Sequence, residues 1–113
     1  RYSIIMHFLK RTEGTTHEEC IRHHREVHIP MVRASILGSG PTLLKKYVAY
    51  YFDEIPDMLY DLLVEQWYDD EGWETYQEFT KTPQYRELQK DSDEHLLDRA
   101  TKFLLKFEKN EII

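Results

Sequence analysis

The segment YSIIMHFL, residues 2–9, decides the fold of this 113-residue chain, because it carries apolar side chains on both sides. Successive side chains of a strand point to opposite faces of the sheet. The even positions are Tyr, Ile, Met and Phe, and the odd positions are Ser, Ile, His and Leu. This pattern predicts a strand that is buried on both faces. A layer of structure is therefore needed on each side of the sheet.

A helix is predicted to follow the polar turn KRTEG at residues 10–14. Thr16 stands three residues before Glu19, which is the spacing of a capping box at a helix N-terminus. Gly-Ser-Gly-Pro at residues 38–41 should end the helix near residue 36, because proline cannot continue it. The stripe expected to face the core consists of Cys20, Ile21, His24, Val27, His28 and Met31.

Three further strands are predicted from residue type and alternation. Residues 43–52 and 59–68 are rich in Tyr, Val and Leu and should pair as a hairpin. Residues 101–108 alternate Phe and Leu with other side chains and predict the fourth strand.

Two short helices are expected between the third and fourth strands. Asp69 or Asp70 should cap the first, and Thr82 with Pro83 should start the second. The order strand, helix, strand, strand, helix, strand predicts a single α+β domain over residues 1–113 with the ferredoxin-like βαββαβ fold. Its four-stranded antiparallel sheet would have both helices on one face. A second copy of the chain would then cover the other face, which predicts a homodimer in the form of a dimeric α+β barrel.

Composition excludes several classes of function. Fifteen Lys and Arg against 21 Asp and Glu give a net charge of −6, so a nucleic acid would be repelled. The lone Cys20 excludes an internal disulfide and a cysteine-based zinc site. No apolar run approaches the roughly 20 residues that a membrane span needs, so the chain is expected to be soluble and cytoplasmic, without a membrane partner. Its sequence carries no glycine-rich phosphate loop and no flavin, haem or iron signature, so no cofactor is expected.

The stretch HHREVHIPMV, residues 23–32, resembles the signature of the EthD family, in which a bulky pair precedes a histidine, any residue, a proline and an apolar residue. It departs from many members in carrying His-His where they have Tyr-Trp. Further matching segments are residues 46–48, 60–61, 65–68 and 93–98. The resemblance implies a homodimeric barrel that acts on small ring compounds. Such families include polyketide cyclases, dehydratases, decarboxylases, muconolactone-type isomerases and accessory proteins of ring or ether degradation.

His28 is the main candidate for catalysis. His24 and His28 lie four residues apart and project from one helical face. Pro30 lacks an N–H group and should kink the helix beside His28, which would open space near its imidazole. Histidine titrates near neutral pH and can act as a general acid or base. The alternative is that both are structural histidines satisfied by hydrogen bonds. His17 lies in the first, frayed turn of the helix and His23 points toward solvent, so both are expected to be replaceable.

Glu65 is the second catalytic candidate. Its role depends on which face of the sheet its side chain lies on, and the sequence does not define this. Glu65 and Trp67 share one strand face. If that face meets the helices, Glu65 would orient His28 and Trp67 would line the pocket. If it meets a partner subunit, Glu65 is an interface group. The other candidates for substrate binding are His24, Tyr47, Tyr51, His7 and His95.

Three functions are compatible with these residues. The first is a cofactor-independent proton-transfer enzyme, of cyclase, dehydratase, decarboxylase or isomerase type, on a small aromatic, polyketide-like or lactone compound. The second is a non-catalytic accessory protein that binds such a compound, and the third is a cofactor-free monooxygenase. A metal site is not predicted, because the two histidines lack an HExxH order and a third ligand.

Overall fold

Strand β1 (Tyr2–Leu9) lies in the interior of a four-stranded sheet, as its two apolar faces predict. The order of the strands is β2-β3-β1-β4, with β2 at Lys46–Tyr51, β3 at Leu62–Asp69 and β4 at Thr101–Phe107. All three pairings are antiparallel. The computed structural model describes residues 1–34, 44–96, 101–109 and 112, with the backbone alone for 101–104. The chain therefore has the predicted α+β ferredoxin-like fold.

Strands β2 and β3 are shorter than predicted. The first predicted residue of strand two, Leu43, lies outside the described residues, and the regular strand begins only at Lys46. Residues 59–61 precede β3, although the Asp61 N–H still donates to the Leu9 carbonyl over 2.8 Å. Asp57 in the connecting turn has a φ of 57°, in the left-handed region.

The first helical stretch has three parts: α1 (His17–His23), a π-helical segment (His24–His28) and α2 (Ile29–Val32). The predicted capping box is confirmed, because the Glu19 N–H donates to Thr16 Oγ1 over 3.1 Å and the Thr16 N–H to Glu19 Oε2 over 3.2 Å. The predicted end near residue 36 lies outside the described residues.

The helix is interrupted beside Pro30, and the interruption is the π-helical segment. Pro30 has no N–H with which to satisfy the carbonyl four residues earlier. The preceding N–H, that of Ile29, bonds to the His24 carbonyl five residues back, which widens the turn. A wider turn keeps residues four apart in register on one face. His24 and His28 consequently stay on the inner face, whereas Val27, predicted to be inside, is 42% exposed.

Helices α3 (Asp70–Phe79) and α4 (Pro83–Asp91) begin where the sequence predicts. Their caps are Asp69, which accepts from the Gly72 N–H, and Thr82, which accepts from the Tyr85 N–H. A second π-helical segment (Ser92–Leu96) follows α4. None of the helices within the described residues has the length and apolarity of a membrane span.

The two faces of the sheet differ in what covers them. The odd positions of β1 face the helices, and the core there includes Ile5, Leu9, Leu62, Val64, Tyr68, Tyr76, Phe79 and Leu88. On the helix-free face, the rings of Tyr2, Trp67 and Phe107 cluster with centroids 5.2 to 6.2 Å apart. Leu105 beside them is exposed. The helix-free face is thus apolar and only partly covered by the chain itself.

Candidate functional site

A cavity of about 200 Å³ lies between the helix-facing side of the sheet and the helices. Polar side chains in its lining are His7, His24, His28, Tyr47, Gln66, Tyr76, Tyr85, Gln89 and Ser92. Apolar lining comes from Leu9, Val32, Val64 and Leu88. Four residues predicted for the site, His7, His24, His28 and Tyr47, are therefore brought together in one cavity.

His28 is held by a carboxylate that the sequence analysis did not identify. Its Nδ1 lies 2.9 Å from Oδ2 of Asp91, the last residue of α4. The two side chains are 12% and 11% exposed, so the contact is largely shielded from water. Within the described part of the chain, the second ring nitrogen of His28, Nε2, has no hydrogen-bond partner. The ring is thus fixed at one nitrogen and available at the other.

The protonation states at this contact follow from burial and charge. Burial lowers the pKa of His28 below its usual value of 6.5, although the hydrogen bond and charge of Asp91 act in the opposite direction. Burial alone would raise the pKa of Asp91, but hydrogen bonds from His28 and His23 outweigh it and lower that pKa. Near neutral pH, Asp91 is therefore a carboxylate and His28 is neutral. The Nδ1–H of His28 donates to Asp91, which leaves the lone pair on Nε2.

His24, one turn before His28, is bound by two phenols. Its Nδ1 lies 2.8 Å from the Tyr51 hydroxyl and its Nε2 lies 3.0 Å from the Tyr47 hydroxyl. The residue is fully buried, and burial, followed by the charges of His28, His23 and Arg25, lowers the pKa of His24 to about 3. His24 is therefore neutral, with one nitrogen donating and the other accepting.

The two tyrosines occupy different places. Tyr47 lines the cavity, and burial raises its pKa strongly, so it remains a neutral phenol. Tyr51 lies behind His24, in a separate depression near the surface, and does not line the cavity. The prediction that both share one face of β2 is confirmed, because Tyr47 pairs with Gln66 and Tyr51 pairs with Leu62.

Glu65 and Trp67 lie on the helix-free face of the sheet. They pair with Met6 and Ile4 of β1, whose side chains point away from the helices. The Trp67 Nε1–H donates to Glu65 Oε2 over 2.9 Å. Glu65 therefore does not orient His28, and Trp67 does not line the cavity; Asp91 holds the position that Glu65 was considered for.

His23, Asp91 and His95 form a cluster outside the cavity. His23 Nε2 lies 3.0 and 3.1 Å from the two carboxylate oxygens of Asp91 and is thus not solvent-facing, contrary to expectation. The half-exposed His95 stacks on His23 with centroids 4.3 Å apart and does not line the cavity, contrary to its proposed role in substrate binding. Ligand atoms of the three lie within 4.8 Å of one another, as a metal site requires. The contacts that the structure records within the cluster are the bonds from His23 to Asp91 and the stacking of His95 on His23.

A second histidine–carboxylate pair lies at the start of α1. His17 Nδ1 is 2.7 Å from Oδ1 of Asp61, whose side chain is 1% exposed. The backbone N–H of Arg11 donates to the same carboxylate over 2.6 Å, and its guanidinium lies 3.6 Å away. His17 is therefore not the frayed, replaceable residue that the sequence predicted. The neighbouring Cys20 is buried, and burial, followed by the charge of Asp61, raises the pKa of its thiol to about 12.

The comparisons with known proteins agree with this fold. The EthD domain family matches residues 12–100 of the chain. The search of curated proteins found no match. A solved ethyl tert-butyl ether D (EthD) family protein from Bacillus halodurans has a TM-score of 0.71 at 16% identity, with 96% of this chain and 100% of that chain covered.

Two similar solved structures are ferredoxin-like dimers of unknown function. The protein from Thermobifida fusca has a TM-score of 0.63 at 14% identity, with 94% of this chain and 91% of that chain covered. The protein from Bacteroides fragilis has a TM-score of 0.59 at 13% identity, with coverages of 94% and 96%. At these identities the likeness demonstrates a shared fold.

Proposed function

Since the chain belongs to the EthD domain family, which matches residues 12–100, we propose that its cavity binds a small hydrophobic ring compound and that His28 transfers a proton on it without a cofactor. The observation that carries this proposal is the contact between His28 Nδ1 and Asp91, which leaves Nε2 as a base at the cavity wall. A positioned acid or base of this kind contributes roughly 10² to 10⁴ to a rate.

The size and lining of the cavity support a ring compound as ligand. A cavity of roughly 150 Å³ is enough to hold benzene. About 200 Å³ therefore fits one ring with short substituents, or two fused rings. No Asp, Glu, Lys or Arg is present among the described residues that line it. A neutral ligand is favoured, because a charged one would lose its hydration without gaining an ionic partner.

The chemistry that the pair supports is removal and return of a proton. Nε2 of His28 would accept a proton from an acidic C–H or O–H of the ring compound. The imidazolium that forms would be stabilised by the Asp91 carboxylate at Nδ1. Return of the proton to another atom gives isomerisation or completes cyclisation, and its delivery to a leaving hydroxyl gives dehydration. These are reactions of lyase and isomerase type, as expected from the sequence.

We also propose that the chain forms a homodimer through its helix-free face. The aromatic cluster of Tyr2, Trp67 and Phe107 and the exposed Leu105 offer an apolar surface there. Two similar structures are dimers. Sedimentation equilibrium at micromolar concentration is expected to give twice the mass of one chain. A folded monomer under these conditions would contradict this proposal, because the apolar face would then be open to water.

A non-catalytic binding protein is the second candidate, and one observation favours it. The apolar side chains of Leu9, Val32, Val64 and Leu88 line the cavity and would hold a ring compound whether or not an imidazole reacts with it. If a ligand does not need Nε2 of His28, the same cavity would shelter it for a partner enzyme. If the protein is an enzyme, loss of the His28 imidazole should lower turnover. If it is a binding protein, the same loss can affect only binding.

A generic substrate for a base in an apolar cavity tests the proposal directly. In 5-nitrobenzisoxazole, removal of the C3 proton breaks the N–O bond and yields a coloured cyanonitrophenolate, so no co-reactant is needed. His28→Gln is expected to lower turnover of this probe by roughly 10²-fold while leaving its binding and the fold intact. His95→Gln, a histidine outside the cavity, is the matched control. Binding without any turnover that depends on His28 would favour the binding protein instead.

A further inference from the structure

We propose that Tyr47 points its hydroxyl proton into the cavity and donates a hydrogen bond to an oxygen atom of the ligand. The direction would be set by the hydrogen bonds that join Tyr51, His24 and Tyr47, beside the positive charge of Arg25. This inference rests on the proposed function, since it assumes that the cavity is the ligand site. It adds a second group beside His28 and narrows the ligand to ring compounds with a carbonyl oxygen.

The first link is the contact between Arg25 and Tyr51. The guanidinium of Arg25 lies 4.8 Å from the centroid of the Tyr51 ring. Burial raises the pKa of the Tyr51 hydroxyl, and the positive charge of Arg25 acts on the same hydroxyl in the opposite direction. A guanidinium has donors and no acceptor. The lone pairs of the Tyr51 oxygen are therefore favoured on the side of this cation, and its proton is favoured toward another acceptor.

The second bond runs from Tyr51 to His24. His24 Nδ1, 2.8 Å from the Tyr51 oxygen, is the acceptor that the described residues offer to this proton. A neutral imidazole has one N–H and one lone pair. If Nδ1 accepts from Tyr51, the proton of His24 is on Nε2. The burial of His24, which keeps the ring neutral, supports this assignment.

The third bond runs from His24 to Tyr47. Nε2–H of His24 donates to the Tyr47 oxygen over 3.0 Å, so the Tyr47 proton does not point back to His24. Tyr47 makes no second hydrogen bond within the described part of the chain, and it lines the cavity. Its O–H is therefore directed at whatever the cavity holds. With the opposite tautomer of His24, Tyr47 would present only lone pairs.

The combination of a donor and a base defines a class of ligand. Tyr47 would bind the oxygen of a ring ketone, lactone or quinone, while Nε2 of His28 takes the acidic proton next to that carbonyl. Negative charge then develops on the oxygen, where a preorganised donor lowers the barrier most. Arg25, Tyr51 and His24 act through Tyr47 and are positioning residues.

The tautomer of His24 can be measured in the protein without a ligand, and this measurement tests the inference. In ¹⁵N-labelled protein, long-range ¹H–¹⁵N spectra at neutral pH are expected to show a protonated Nε2 and an unprotonated Nδ1 for His24. Tyr51→Phe removes the donor to Nδ1 and should shift the ring toward the other tautomer, whereas Tyr50→Phe, the same change on the opposite face of β2, should not. A wild-type His24 protonated at Nδ1 would overturn the inference.

A pair of matched ligands tests the consequence in the cavity. 1-Indanone and indane differ in one carbonyl oxygen, so the ratio of their affinities reports on the Tyr47 donor. Tyr47→Phe is expected to weaken 1-indanone by about 3- to 10-fold, the contribution of one neutral hydrogen bond, and to leave indane unchanged. Tyr51→Phe should lower the same ratio, and Tyr50→Phe should not. Equal losses for both ligands would overturn the role of Tyr47, whereas binding of neither would contradict the proposed function and leave the tautomer result standing.

Discussion

Two histidine–carboxylate pairs lie at the two ends of one helical stretch, and they differ in what surrounds them rather than in their hydrogen bonds. His17 lies 2.7 Å from Asp61, and His28 lies 2.9 Å from Asp91. Asp61 is sealed from solvent and has Arg11 as a second partner, which ties the first loop to β3. His28 instead borders a cavity, and its second nitrogen has no hydrogen-bond partner among the described residues. Under the proposed function, the pair that is placed to react is therefore the one whose second nitrogen borders a cavity.

The histidine between the two pairs provides the largest expected effect. The pKa of His24 is lowered to about 3, so the folded state excludes a proton that the unfolded state binds at its ordinary pKa. This stability is fully present above about pH 6.5 and is lost as the pH falls toward 3. The slope would be about 1.4 kcal/mol per pH unit, or roughly 5 kcal/mol in all. Urea unfolding between pH 7 and 4 measures it. An equal slope in His24→Gln would show that another group is responsible.

Of the two histidine–carboxylate pairs, the one at Asp61 should contribute more to the free energy of unfolding. Asp61→Asn removes a buried charge from beside Arg11 and His17 and should lower the free energy of unfolding by about 3 kcal/mol. Asp91→Asn should lower it by no more than about 1 kcal/mol, because the side chain of Asp91 is less buried than that of Asp61. Chemical denaturation of the two variants side by side gives both values. Similar losses would remove the distinction between the pairs.

The histidine partners of the two carboxylates should differ in the same direction, with smaller losses of stability when they are replaced. His17→Ala leaves part of the buried Asp61 carboxylate without its hydrogen bond and should cost about 1 to 2 kcal/mol. His23→Ala removes a bond to Asp91 that water can replace in part, and should cost about 0.5 kcal/mol. The difference in thermal midpoint between the variants is the measurement, and a larger loss for His23 would reverse the comparison.

The smallest effect concerns the pH dependence of probe turnover. Because burial lowers the pKa of His28, activity that needs the neutral base should be present at neutral pH and fall with a midpoint below 6.5 as the pH is lowered. Asp91→Asn removes the influence that raises this pKa, so its midpoint should move to lower pH while turnover at neutral pH falls about tenfold. A midpoint that does not move would show that Asp91 leaves the base unaffected.

The sequence predicted those parts of the structure that depend on neighbours along the chain. The caps at Thr16, Asp69 and Thr82 need a side chain within three residues, and β1 needs only alternation. His24 and His28 on one face follow from their spacing, which an α-helix and a π-helical segment both preserve. These features were correct because each is decided locally.

The parts that were missed depend on packing between distant segments. Asp91 meets His28 across 63 residues, and nothing in the spacing of α4 specifies that contact. The face of Glu65 depends on how β3 pairs with β1, since strand alternation defines two faces without saying which one the helices cover. Val27 moved outward because the turn widened beside Pro30, an effect that an ideal helical period omits.

The buried thiol of Cys20 can report how often helix α1 detaches from the sheet. At 1% exposure and with a pKa of about 12, this side chain has almost no thiolate and no access to alkylating reagents while α1 is docked. Labelling can proceed only when the helix lifts from the sheet, so the rate at which iodoacetamide adds one mass increment reports how often that opening occurs. Because α1 continues into the turn that bears His24 and His28, ligand that fills the neighbouring cavity should slow this reaction without touching the sulfur. Mass spectrometry of a protein with a single cysteine can thus detect ligand binding without an assay of turnover.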